Sequence, residues 1–369
     1  MKKTIAIIAA AATLAFSMTA CGPTENSSAD ADTDTVNYSY GLTENGYYEG
    51  VDISQYVTLS DSYKNFLIAQ ENVLETEEDW EDYYNSVASM VGTKSEIPDA
   101  TADDKSFVTI DFHGTVDGKE FTGGNATNVD LQIGSGAYLE EFETGIIGHK
   151  AGETFDVEVL FPEGYGNTTD ADGNELDLSG KTAIFSITLK SVNEYVLTDE
   201  NIENYYSTVN ETREDKILNL DDMREYAKET IENTKLQNEV LKRLQEECSV
   251  SEIPQAVIDA YVHVEMQMME LNASSAGLTP DALVQMNGFE SVDDYKTYIT
   301  ENPASYLENQ LILLAIAENE GLQYDEDTCR NTFGEEPNEL IELYGQGYVY
   351  QNVLCKKAFD FVLANISIE

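Results

Sequence analysis

Few residues in this chain of 369 are spaced for acid–base, nucleophilic or metal chemistry. His113, His149 and His263 are scattered, and no His-x-x-x-His pair puts two imidazoles on one helical face for zinc. Ser179-Gly-Lys-Thr182 ends like a phosphate-binding loop, but the position five before Gly180 is Glu175 rather than a glycine. Asp170, Asp172 and Asn174 offer calcium-like oxygens, yet Glu175 stands where an EF-hand loop needs Gly, so the stretch reads as a solvated acidic turn. Cys248, Cys329 and Cys355 lie far apart without a Cys-x-x-Cys. Three cannot close a disulfide framework, and they read as buried thiols. No Gly-x-Ser-x-Gly supports a serine esterase.

The elements are more informative than any single reactive group. From Phe107 to Val116 apolar and polar residues alternate, and Asp117-Gly118 then turns the chain into a second extended run. Alternation marks a half-buried strand, and Asp-Gly between two such runs marks a hairpin. Leu131–Ile133 reads as a further short strand, Tyr138–Ile147 as a short helix ending at Gly148. Phe155–Phe161 and Thr182–Lys190 read as two more alternating strands. The expected class is α+β, a small antiparallel sheet crossed by one helix.

Those residues carry a resemblance. Val108-Thr-Ile-Asp-Phe-His-Gly, Ile133-Gly-Ser-Gly, Phe142-Glu-x-Gly-Ile-Ile-Gly, Phe161-Pro-Glu-Gly-Tyr-Gly and Gly180-Lys-x-Ala-x-Phe185 stand in order. The stretch 105–195 resembles an FKBP-type peptidyl-prolyl isomerase domain, most closely that of the trigger factor family. The resemblance implies catalysis without cofactor or metal. An X–Pro amide turns slowly because rotation breaks its resonance, a barrier of ~18–20 kcal/mol. At the twisted midpoint the amide loses charge separation, so a dry apolar bowl favours it over the planar ground state. By resemblance Phe112, Phe121, Leu131, Leu139, Phe142, Tyr165 and Phe185 surround the bowl, with Phe142 as its floor. The Leu139 backbone N–H holds a substrate carbonyl, and the Tyr165 hydroxyl donates to the carbonyl of the turning amide. The plainer reading of each aromatic is core packing. Thr122 stands where many relatives have Asp, Glu140-Glu141 replaces a Gly-containing turn, and 167–178 lengthens the loop after Tyr165. These departures keep a rival alive: a holdase chaperone with a vestigial cavity.

The flanks extend the picture. Lys2 and Lys3 precede an apolar run that ends in Met18-Thr-Ala-Cys21-Gly. Residues 1–20 read as a signal peptide, and the small residue before Cys21 resembles a lipoprotein signal with lipid carried on that thiol. An ordinary secretory peptide ending near a Cys is the alternative. Residues 21–39, poor in apolar groups, read as a tether. The expectation is an exported protein, lipid-anchored to the outer face of the cytoplasmic membrane. In 40–104, Glu75–Val91 reads as an acidic amphipathic helix, and Gly46–Ile53 is similar to the segment before the isomerase domain in trigger factors. The basic Gly-Phe-Arg-Lys signature of the ribosome-docking hairpin is missing, so no ribosome partner is expected.

Residues 196–369 show helical periodicity: Leu220–Glu247, Ala256–Leu271, Val292–Asn319 broken at Pro303, and Glu336–Asn365. This part resembles the helical arms of trigger factor, which implies binding of unfolded secreted polypeptides with X–Pro bonds. Met266, Met268 and Met269 are candidates for client contact, against filling of the core. With 20 Lys plus Arg against 70 Asp plus Glu, the net charge of −50 repels phosphate backbones, so nucleic acid is excluded as a partner.

Overall fold

The computed structural model describes residues 36–162, 165–170, 173–286 and 288–369. The signal, Cys21 and most of the tether lie outside the described residues. The described residues divide into two compact units, one of 76–228 and one of those up to 75 together with those from 229.

The sheet of the first unit is built on the strand Thr182–Val196. Strand Phe107–Val116 pairs with it antiparallel along one edge, and Lys119–Gln132 extends the sheet beyond. The other edge is shared by Thr154–Leu160 and Thr93–Glu96. The alternation in the sequence becomes alternate burial: Val108, Ile110, Phe112 and Val116 face inward, as do Ala183, Phe185, Ile187 and Leu189. Asp117 and Gly118 have φ of +53° and +78°, the two left-handed residues that a two-residue hairpin requires. Leu131 ends the long second strand rather than forming a strand of its own, and the helix covers only Glu140–Thr144. Gly114 is needed for close approach: a Cβ there would strike the ring of its cross-strand partner Phe185.

Helix Glu77–Val91 is capped by Thr76 and Asp79, each side chain bonding the other's backbone N–H. Trp80 and Val87 are buried on its inner side, and Tyr84 donates to the carbonyl of Tyr195 at 3.3 Å. Short helices Asp199–Tyr205 and Ser207–Thr212 complete this unit, with the first part of Leu220–Glu247.

The core of the second unit is the helix Tyr306–Asn319, buried on every side from Leu311 to Ala317, beside Gln346–Ala364. Such all-round apolarity is the mark of a central helix. Pro303 does interrupt the expected Val292–Asn319 helix, which stops at Glu301 and restarts at Tyr306. The expected Glu336–Asn365 helix is instead two, Pro337–Tyr344 and Gln346–Ala364. Gly345 between them has φ +82° and ψ +150°, a conformation open essentially to glycine alone.

Residues 40–75 belong with these helices and 76–104 with the sheet, so the divisions expected at 104 and 195 differ from the bounds of the two units. Val57–Thr58 pairs with Ser249–Val250, and Leu67–Ile68 with Ser367–Ile368. Acidic residues fill the first turns of Glu77–Val91, Leu220–Glu247, Val292–Glu301 and Glu326–Phe333, where the helix dipole favours them. Among the described residues no helix is long and apolar enough to cross a membrane.

Candidate active site

Aromatic rings from four elements converge in the first unit on a cavity of about 550 Å³. Phe112 comes from the first strand, Phe121 from the second, Phe185 from the central strand and Phe142 from the short helix. Phe142 is 2% exposed and meets both Phe112 and Phe185 edge-on, at 5.2 and 5.1 Å between centroids. Phe121 stands edge-on to Phe185 at 6.1 Å. Edge-to-face contacts of this kind fix ring orientation beyond simple burial.

Two polar groups meet this apolar surface without partners. The Tyr165 hydroxyl makes no hydrogen bond among the described residues, and the side chain is half exposed. The Leu139 N–H likewise has no acceptor there, while its carbonyl caps the short helix by accepting from Phe142 N at 2.9 Å and Glu143 N at 3.2 Å. One hydroxyl and one amide N–H beside this aromatic surface can orient a peptide by donating to its carbonyls.

Six of the seven residues expected at the site therefore line one cavity: Phe112, Phe121, Leu139, Phe142, Tyr165 and Phe185. Leu131 does not. It is 5% exposed, opposite Val108 in the sheet, and belongs to the core cluster. Sequence reasoning missed Tyr138 and Phe161. Tyr138 stacks on Phe142 at 4.9 Å with planes 20° apart, and Phe161 lies 4.5 Å from Tyr165 between centroids. Both sit in the quoted signatures or next to them, so their position beside Leu139 and Pro162 was the available signal.

The departures from the family pattern acquire structural roles. Thr122 ties down the longer loop: its hydroxyl lies 2.8 Å from that of Thr169, and its carbonyl accepts from Thr168 Oγ1 at 2.9 Å. That loop contains a hairpin of Asn167–Thr169 with Glu175–Asp177. Asp170, buried, accepts from the Asn174 N–H at 2.8 Å and faces Lys119 Nζ at 3.5 Å. Its carboxylate thus serves the turn. Among the described residues no group of three His, Cys, Asp or Glu is placed to hold a metal.

Glu143, next to the floor ring, holds the loop before the short helix by hydrogen bonds. Its carboxylate is 2% exposed and accepts from Tyr138 N at 2.9 Å, Gly136 N at 3.2 Å and Ser135 Oγ at 3.3 Å. The floor helix thereby holds the loop that presents Tyr138 and Leu139.

Comparisons with known proteins match both units of the chain. A model of the FKBP-type peptidyl-prolyl cis-trans isomerase matches residues 99–190, and one of the bacterial trigger factor C-terminus matches 219–364. The chain is a trigger factor-like protein with an FKBP-type isomerase domain. The trigger factor of Syntrophomonas wolfei is 28% identical over 313 residues, 81% of this chain and 67% of that relative. That of Halothermothrix orenii is 28% identical over 317 residues, covering 82% and 71%. A solved structure reported for promiscuous substrate recognition by the trigger factor chaperone covers 84% of this chain and 72% of that one. At 13% identity and a TM-score of 0.27, it is too slight a likeness to bear on arrangement. The relatives support a prolyl isomerase and folding chaperone.

In the helical unit the three methionines part company. Met269 is buried, Met266 is half-buried, and Met268 accepts from the Tyr38 hydroxyl at 3.1 Å beside a second cavity. Cys248, Cys329 and Cys355 are buried and free, and burial pushes the Cys355 thiol up to about 12.

Proposed function

We propose that this protein accelerates rotation about X–Pro bonds in the cavity floored by Phe142 and holds unfolded chains on its helical unit. The observation that carries the reading is the pairing of a rigid aromatic bowl with unengaged Tyr165 O–H and Leu139 N–H donors. A proline ring enters the bowl, Leu139 N–H binds the preceding chain carbonyl, and Tyr165 steadies the carbonyl of the turning amide. Water leaves, the planar and more polar amide loses solvation, and the twisted state is reached at lower cost. No side chain exchanges a proton with the substrate.

We further propose that its clients are exported proteins and that Cys21 carries a lipid anchor on the outer face of the membrane. The sequence around Cys21 supports this. Metabolic labelling with a fatty-acid analogue, in wild type and Cys21→Ala, tests the anchor: label lost in the variant is expected. Equal labelling of both would refute it.

The folding activity is tested on a denatured protein whose refolding is limited by an X–Pro bond, with aggregation followed in parallel. Faster refolding together with less aggregation is expected. Suppressed aggregation without acceleration would favour the holdase reading instead.

A further inference from the structure

We propose that the helical unit carries a receptor for an organic cation, the ammonium or guanidinium head of a lysine or arginine side chain, held by Glu265 within a cage of tyrosines. The site is a cavity of about 240 Å³ whose walls include Tyr38, Tyr40, Tyr48, Tyr261, Tyr306 and Tyr348, with Glu265 among them. That volume is below the range of sites for drug-sized molecules and suits one long side chain.

The carboxylate is what gives the cage its sign. Glu265 has neither hydrogen bond nor ion pair among the described residues, although it is partly buried. Desolvation raises its pKa and is also the main cause raising those of Tyr261, Tyr295 and Tyr306, to which the nearby charge of Glu265 adds. A carboxylate withdrawn from water without a partner is costly unless a cation comes to it. Aromatic faces add attraction for the same guest, since their quadrupoles are negative at the centre. An anionic guest is repelled by both. A hard metal ion favours several carboxylates where this site supplies one beside amide and phenol groups, whereas an alkylammonium needs one carboxylate and apolar walls for its stem.

The helical unit is also the part read as holding polypeptides, so the cation is assigned to a side chain of a bound chain. That source rests on the chaperone reading. The chemistry of the cage does not.

The test is calorimetric titration of the full chain at pH 8. The probes are a short peptide with one central lysine, the same peptide with norleucine, and n-butylammonium. The lysine peptide should bind at least tenfold more tightly than its norleucine twin, and Glu265→Gln should erase that difference without lowering the melting temperature. Butylammonium binding much more weakly than the peptide assigns the site to polypeptides. Equal binding keeps the cage and makes a free amine its guest. Equal affinity for lysine and norleucine peptides, or a lysine preference that survives Glu265→Gln, would overturn the proposal, whatever the result for aggregation.

Discussion

The buried carboxylate of Glu143 accepts a hydrogen bond from the backbone N–H of Tyr138 at 2.9 Å, and so ties the cavity's floor helix to its entry loop. The same carboxylate takes Gly136 N and Ser135 Oγ. Removing it leaves several donors short of an acceptor. Glu143→Ala should cost about 1–3 kcal/mol of stability and lower isomerisation more than the stability loss explains, because Leu139 N–H is no longer aimed. Thermal unfolding and a reporter-peptide assay on one preparation check this. Unchanged values in both would contradict the role.

Thr122 should control the added loop rather than the chemistry. Thr122→Val keeps the shape but removes the hydroxyl that meets Thr169. Loss of one such hydrogen bond is worth about 0.5–1.5 kcal/mol. Amide exchange in 167–177 should quicken while exchange in the strand Phe107–Val116 stays slow. Quickening spread evenly over the sheet would speak against a local pin.

Gly345 is the hinge between the last two helices. A Cβ there would meet the Ser39 hydroxyl, in a backbone region closed to other residues. Gly345→Ala should therefore destabilise the helical unit by about 1–3 kcal/mol, read as a lower denaturation midpoint. A midpoint equal to wild type would show that the turn can relax.

Acid should loosen the helix Glu326–Phe333. Its cap Asp325 accepts from Lys357 Nζ and from Thr328 N, which hold its pKa down at about 2, below the usual 3.8. A lowered folded-state pKa gives stability that is present above about 4 and fades as pH falls toward about 2. Asp325→Asn should lose stability at pH 7 and show less further loss on acidification. An unchanged acid limb in the variant would assign the effect to other carboxylates.

Much of the first unit was legible in the sequence because its signals are local. Strand alternation turned Phe112, Phe121 and Phe185 inward, and Asp117-Gly118 set the hairpin. Leu131 was misplaced because an inward position on the same sheet does not say which part of the core it fills. Tyr138 was overlooked because its place depends on Glu143 folding the loop back, a contact no periodicity encodes. In the helical unit Pro303 announced its break, whereas Gly345 was hidden by apolar spacing that runs through both helices. Residues 40–75 join that unit through pairings such as Leu67 with Ser367, which span nearly the whole chain. The Glu265 cage gave no motif, since its tyrosines come from segments far apart in sequence.

The most direct measurement is prolyl cis–trans isomerisation of a short reporter peptide by the wild type, beside Tyr165→Phe and Phe142→Leu. The account predicts acceleration by the wild type, reduced in Tyr165→Phe with folding intact and reduced further when the floor ring is lost. No acceleration by a folded wild type, or rates equal in all three proteins, would contradict it.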